Sequence, residues 1–359
     1  MKALKFDKSQ QLEFVRQLKA RVQDYFAEQE RSPSGNRQLY VKAVLMLALY
    51  VLPLLALFIF QPSHYAIILA LYFLMGLGMV GIGVSVMHDA VHSSFSSKSW
   101  VNRLFAHSME LVGGSSFNWQ VQHNVLHHSY TNISGWDEDI SHKAILRLEP
   151  EEPWRAVHRY QHIYALPLYS LLTLSWIIWG DYQSLYRYTK KNLLLGKKPF
   201  SVWAKLIGFK LAYLFVQFVL PIFILGIPAL AVILGFVLMH LVAGFLLSSI
   251  FQLAHVVEGP DYPQADEKGR LSTSWMAHQL QTTANFSRGK AWMSWCIGGL
   301  NYQIEHHLFP HISHVHYPKL APIVQQTAAE FGLPYYEHPS FFKALQSHLR
   351  CLRVLGNKK

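Results

Sequence analysis

In Gly81-Ile82-Gly83-Val84-Ser85-Val86-Met87-His88-Asp89-Ala90-Val91-His92 an apolar run passes without a break into two histidines four residues apart. On a helix such a pair shares one face, with Cβ atoms about 5–6 Å apart. The run begins near Tyr65, so residues 65–87 are long enough to cross a bilayer, which takes about 20 apolar residues. The predicted span therefore ends in a pair of imidazoles at a membrane surface. The pattern recurs downstream, where the apolar stretch 229–254 runs directly into His255. Two more clusters flank apolar stretches: His123-Asn124-Val125-Leu126-His127-His128, and Gln303-Ile304-Glu305-His306-His307.

Two further spans are predicted at 43–60 and 211–228 by the same length rule. Gly76, Gly78, Gly81 and Gly83 in the second span allow a neighbouring helix or lipid chain to approach closely. Residues 163–180 are long enough to span but contain Pro167 and have basic residues on both sides. Lys and Arg are dense before residue 43, between His88 and Lys205, and after His255, while the two short turns between paired spans have none. The positive-inside rule then places those three regions in the cytosol. A fifth span at 163–180 would put His255 and His306 across the membrane from His88 and His123. That segment is therefore predicted to lie in the interface.

The expected architecture is an all-α integral membrane protein, with four transmembrane helices, a cytosolic helical cap and interfacial helices. A histidine-rich site for two metals sits at the cytosolic membrane surface. Residues 1–40 read as a cytosolic N-terminal amphipathic helix and linker, with Val15, Leu18, Val22 and Phe26 at helical spacing. Residues 41–335 form the membrane body. Residues 336–359 read as a basic cytosolic tail, and amphipathic patterns appear near 320–331 and 341–355. The start, Met1-Lys2-Ala3-Leu4, lacks the apolar core of a signal peptide. Both termini are expected on the cytosolic side.

Composition narrows the chemistry. The net charge is +11, but the basic residues are dispersed between spans, which fits anionic lipid and argues against nucleic acid. Two cysteines leave no disulfide framework and no CxxC zinc pattern. Twenty histidines are the unusual count. His88, His92, His123, His127, His128, His255, His306 and His307 are the candidate ligands. Eight is too many for one ion, since a zinc site takes four. The adjacent His306 and His307 point in different directions, which suits two metals side by side. Neutral imidazoles without thiolate favour redox iron. Asp89, Asp137, Glu138, Asp139, Glu258 and Glu305 are placed to accept the second ring N–H of a ligand. Gln303 and His311 are further candidates for contact with the site. His64, His107 and His240 read as interface or core residues, and His142, His158 and His162 as solvated.

These residues resemble the membrane fatty acid desaturases. That family's three histidine boxes match His88–His92, His123–His128 and Gln303–His307, and the likeness extends from about Gly81 to Tyr335, including Gln281-Thr282-Thr283-Ala284-Asn285-Phe286. The Gln that opens the third box is similar to the front-end subgroup, which adds a double bond between an existing one and the carboxyl end. The resemblance implies a di-iron centre with O2 as co-substrate, His255 as a ligand, and Gln303 where relatives have a ligating His. It implies a long-chain acyl-CoA or acyl-lipid substrate. No His-Pro-Gly-Gly haem motif is present, so a separate cytochrome b5 or ferredoxin is the expected electron donor. Alternatives are a di-iron hydroxylase of lipids, alkanes or carotenoids, and a metal- or haem-binding transport protein.

Overall fold

The computed structural model describes residues 4–141 and 145–358. The readings of Met1-Lys2-Ala3, of His142 and of the last residue of the tail lie outside the described residues. The chain divides into two compact units. One contains residues 36–121 and 166–248. The other contains the N-terminal residues to Gly35, residues 122–165 and the chain from Ser249 onward.

The first of these units holds the long apolar helices. Four are long and apolar enough to cross a membrane: Arg37–Phe60, Tyr65–Val91, Pro199–Ile224 and Ala229–His255, the last turn of which belongs to the other unit. Glycine sets how closely they pack. A Cβ on Gly78 would lie 2.6 Å from the backbone nitrogen of Tyr50 in the first span, and one on Gly76 would lie 2.8 Å from the carbonyl of Met239 in the fourth. The second span is thus held between the first and the fourth, backbone against side-chain-free backbone.

The third span begins at Pro199, twelve residues earlier than the expected 211, although Lys205 and Lys210 lie within it. Lys205 is exposed. Lys210 is buried, and its Nζ donates to the Asp181 carboxylate (2.5 Å) and to the carbonyls of Gly113 (2.5 Å) and Trp176 (2.9 Å). Three donors with three acceptors make this charge tolerable inside the bundle. The predicted interfacial segment is a broken helix: Ala156–Tyr169 and Leu172–Lys190 meet at 72°. The break packs on the fourth span. Thr173 Oγ1 donates to the His240 carbonyl (2.9 Å), Ser248 Oγ donates to the Tyr169 carbonyl (3.2 Å), and Gly244 faces the Ser170 carbonyl with no room for a Cβ.

The second unit mixes helices with short strands. Its N-terminal helix, Leu12–Glu28, buries Phe14, Leu18 and Val22 in one core with Leu308, Phe309, Ile312 and the helix Tyr317–Glu330. Each such side chain contributes ~2 kcal/mol by burial. Two small parallel sheets accompany the helices. Strand β1 (Lys5–Phe6) pairs with β2 (Arg270–Leu271), and β3 (Ala284–Phe286) pairs with β4 (Tyr336–His338). The C-terminal segment contributes β4 and the helix Phe341–Leu355, where the sequence shows its amphipathic pattern. Ser347 Oγ of that helix accepts from the Glu258 N–H, and His348 Nδ1 lies 2.7 Å from the Val256 carbonyl.

Candidate metal centre

The second histidine box lies on a widened helix. Residues Gln120–His127 form a π-helix that passes into the turn His128–Tyr130. Its i→i+5 hydrogen bonding puts residues five apart on one face. An ordinary helix would turn His128 away from His123. Here their Nε2 atoms are 3.2 Å apart. Two cis ligands at about 2.1 Å from one ion would stand roughly 3.0 Å apart, close to this separation. The His306 ring lies 4.5 Å from that of His128 and 5.7 Å from that of His123, centroid to centroid.

A second trio forms beside it. The donor atoms of His127, His255 and His307 lie within 4.8 Å of one another, and all three residues are buried. His306 and His307 face different ways, with their rings at 81°. The His307 ring also stacks on that of His128, 4.3 Å away centroid to centroid. The helix that carries His306 and His307, Gln303–Leu308, is wholly buried and is held at its start by Asn285 Oδ1, which accepts from the Ile304 N–H (2.9 Å).

Each imidazole of the second trio has its Nδ1 occupied. His127 Nδ1 lies 3.0 and 3.1 Å from the Asp137 oxygens. His255 Nδ1 lies 3.2 Å from the Thr282 carbonyl, and His307 Nδ1 lies 2.9 Å from Gln279 Oε1. In the first trio, His306 Nδ1 lies 3.2 Å from the Tyr317 hydroxyl. A metal-binding imidazole is held this way, with the other nitrogen left for the ion.

In the remaining unit, His88 and His92 project from the end of the second span, ring centroids 4.9 Å apart, just after the π-turn Ile82–Met87. Asp89 lies 3.8 Å from His88 Nδ1.

The comparison with known proteins agrees with this geometry. The family model described as fatty acid desaturase matches residues 63–339. The chain belongs to the fatty acid desaturase family. An sn-1 linoleoyl-lipid 6-desaturase of Synechocystis sp. is 34% identical over 344 residues, which is 96% of this chain and 95% of that one. An acyl-lipid (8-3)-desaturase of Physcomitrium patens is 34% identical over 358 residues, covering 98% of this chain and 74% of that one. An acyl-lipid (8-3)-desaturase of Mortierella alpina is 31% identical, with 96% and 78% covered. This desaturase is therefore an oxidoreductase of fatty acid metabolism, with a histidine cluster that fits metal binding and helices that fit a multi-pass membrane protein.

The donor set fits the metal the family implies. His255 Nε2 is buried and, among the described residues, has no hydrogen-bond partner. Burial disfavours a charged His127 ring, but the Asp137 and Asp139 carboxylates outweigh it and push the ring up to about 9. Asp137 is held below the usual carboxylate range: burial opposes its charge, while His127 and the N–H groups of Asn132 and Asp139 favour it. The two carboxylates favour positive charge at His127, and a cation that binds there takes the place of the proton.

Not every expected residue reaches this cluster. Asp139 lies 3.4 Å from His127 Nδ1. Glu305 is buried and bonded to Tyr335 Oη (2.7 Å) and Asn285 Nδ2 (2.8 Å), and burial raises its carboxyl to about 7. Glu258 is exposed and paired with Arg350 (2.5 Å). His311 is exposed on the wall of a cavity of about 660 Å³ with Lys19, Trp275 and Phe309. Gln303 is buried, and nothing among the described residues hydrogen-bonds its Nε2. His158, expected to be solvated, is buried, and its Nδ1 accepts from the Arg155 N–H (3.1 Å). His240 is a core residue, bonded to Tyr213 Oη and Thr173 Oγ1.

Sequence reasoning missed Thr131, Asn132, Gln279 and Tyr317. Asn132 has a left-handed backbone (φ 56°), and its Nδ2 lies 3.1 Å from both the His255 and the Asp261 carbonyls. The one local signal was that Thr131 and Asn132 lie within four residues of the end of the second box.

Proposed function

We propose that this desaturase is a front-end enzyme that acts on a long acyl chain esterified to a membrane lipid. Two iron ions would be held by His88, His92, His123, His127, His128, His255, His306 and His307. The observation that carries the reading is the buried trio of His127, His255 and His307, with donor atoms within 4.8 Å of one another, beside the His123 and His128 Nε2 pair and the His306 ring in the same unit. Imidazole donors without thiolate favour iron over structural zinc. The substrate class rests on the relatives, which are named as acyl-lipid desaturases across nearly the whole of this chain. When bound, the metal pair supplies the O2-dependent removal of two hydrogens from neighbouring carbons, with two electrons and two protons delivered from outside and two waters released.

The protein's part is position. Asp137, Gln279, Tyr317 and the Thr282 carbonyl hold the Nδ1 side of the ligands, so each ring is turned before a metal arrives. Gln303, buried at the opening of the third box, would offer the metals an amide oxygen, a weaker donor than an imidazole. An apolar methylene gives the protein no charge to stabilise, so holding two carbons still is what the fold contributes.

The metal site and both termini are assigned to the cytosolic side, because the connections at 61–64 and 225–228 carry no Lys or Arg. Electrons come from a separate cytochrome b5 or ferredoxin, steered by the basic net charge. Purified protein is expected to carry two irons per chain, and His255→Ala to lose most of one while still inserting. A haem Soret band, or iron well below two per chain in active wild-type protein, overturns the reading.

A further inference from the structure

Gln279 is fully buried on the helix Trp275–Thr282, outside the three histidine boxes. Its amide spans two of them. Oε1 lies 2.9 Å from His307 Nδ1, and Nε2 lies 3.3 Å from the His128 carbonyl. The orientation of an amide is set by its partners. Here it is fixed. The His128 carbonyl only accepts, and it also accepts from Trp275 Nε1 (3.1 Å). The amide nitrogen must therefore face it, which turns Oε1 toward His307. Oε1 only accepts, so the proton of a neutral His307 must sit on Nδ1.

The neighbouring hydroxyl does not change this. Thr131 Oγ1 lies 3.0 Å from the same Oε1, 2.8 Å from the His127 carbonyl and 3.3 Å from His307 Nδ1. Its single proton serves Oε1 or the His127 carbonyl, and either choice leaves Oε1 accepting from His307.

We propose that Gln279 is a positioning residue that fixes the His307 tautomer and ring direction, leaving the Nε2 lone pair for the metal. The inference rests on the metal reading above. The three histidines of the second trio then receive three different acceptors: a carboxylate for His127, a backbone carbonyl for His255 and an amide for His307. Carboxylate charge is then placed behind His127 alone and not behind all three rings. Because the same amide holds the His128 backbone, it also ties the second box to the third.

The test compares wild type, Gln279→Met and Gln279→Glu, each purified metal-free and titrated with Fe(II) or Co(II) against a competing chelator. Gln279→Met keeps length and bulk but cannot accept. It is expected to bind roughly 10–100-fold more weakly, the usual cost of losing an outer-shell partner. Gln279→Glu restores an acceptor to His307 and is expected to recover affinity to within about tenfold of wild type, the remainder reflecting its second oxygen against the His128 carbonyl. Size-exclusion profiles of the metal-free forms confirm that each variant is folded. If Gln279→Met binds as tightly as wild type, or if both folded variants lose affinity equally, the role of Gln279 is wrong and the metal site stands. If wild type binds neither cation, the metal reading itself fails.

Discussion

His348 shows how one buried side chain ties a terminus to the site. It is fully buried, and its Nδ1 meets the Val256 carbonyl one residue after His255. Burial holds its ring down at about 4, against the opposing effect of that hydrogen bond. An ordinary histidine titrates near 6.5. Between those values the unfolded chain binds the extra proton, so stability falls as the pH drops from about 6.5 toward 4 and is fully present above that window. The loss amounts to on the order of 3 kcal/mol. His348→Gln keeps an N–H for Val256 and cannot titrate in this range. Thermal unfolding of the two proteins from pH 7 to pH 4 is expected to show wild type losing more than the variant; parallel curves would exclude His348 as a source of acid lability. The eight candidate ligands stood out in the sequence because histidine is rare enough for spacing to carry meaning. His348, Gln279 and Asn132 did not, because each acts on a partner far away in sequence.

Among the elements, the Lys210–Asp181 pair is the sharpest test of how the third span is held. Replacing one member leaves a buried charge without its counterpart, a loss of about 3–5 kcal/mol. Lys210→Met is expected to lower the midpoint of thermal unfolding in detergent by several degrees, and the double variant Lys210→Met/Asp181→Leu to recover most of it. Equal loss in single and double variants would mean that the pair does not bear on the packing. The same pair explains a boundary that hydropathy misplaced: Lys210 reads as an end of the span until its partner is known. Long apolar runs made the four spans legible, while the break near Ser170 was not. It lies against Gly244 of the fourth span, more than seventy residues later in the chain, and Pro167 marked it only approximately. The π-turn in the second box was also hidden, since no residue type marks one. Its effect is to bring His123 and His128, five residues apart, onto one face. The strands of two and three residues pair across the chain and leave no periodicity to read.

For the whole molecule, four spans and one cytosolic face are a single statement, because histidines separated by a membrane cannot share a site. Cysteines introduced at Lys98 and Lys197 are expected to react with an impermeant reagent from the same side of sealed vesicles, and from the side opposite to one introduced at Ser63. Labelling of Lys98 and Lys197 positions from opposite sides would make the broken helix a fifth span and dismantle the proposed eight-histidine set. The most direct measurement is of the product. Cells expressing the chain are supplied with linoleate, and their lipid acyl chains are separated and analysed by gas chromatography with mass spectrometry. The account predicts a new fatty acid with one further cis double bond on the carboxyl side of the existing pair, absent when His307 is replaced by Ala. A hydroxylated chain, or no new double bond in any lipid of cells that hold the iron-loaded protein, would contradict it.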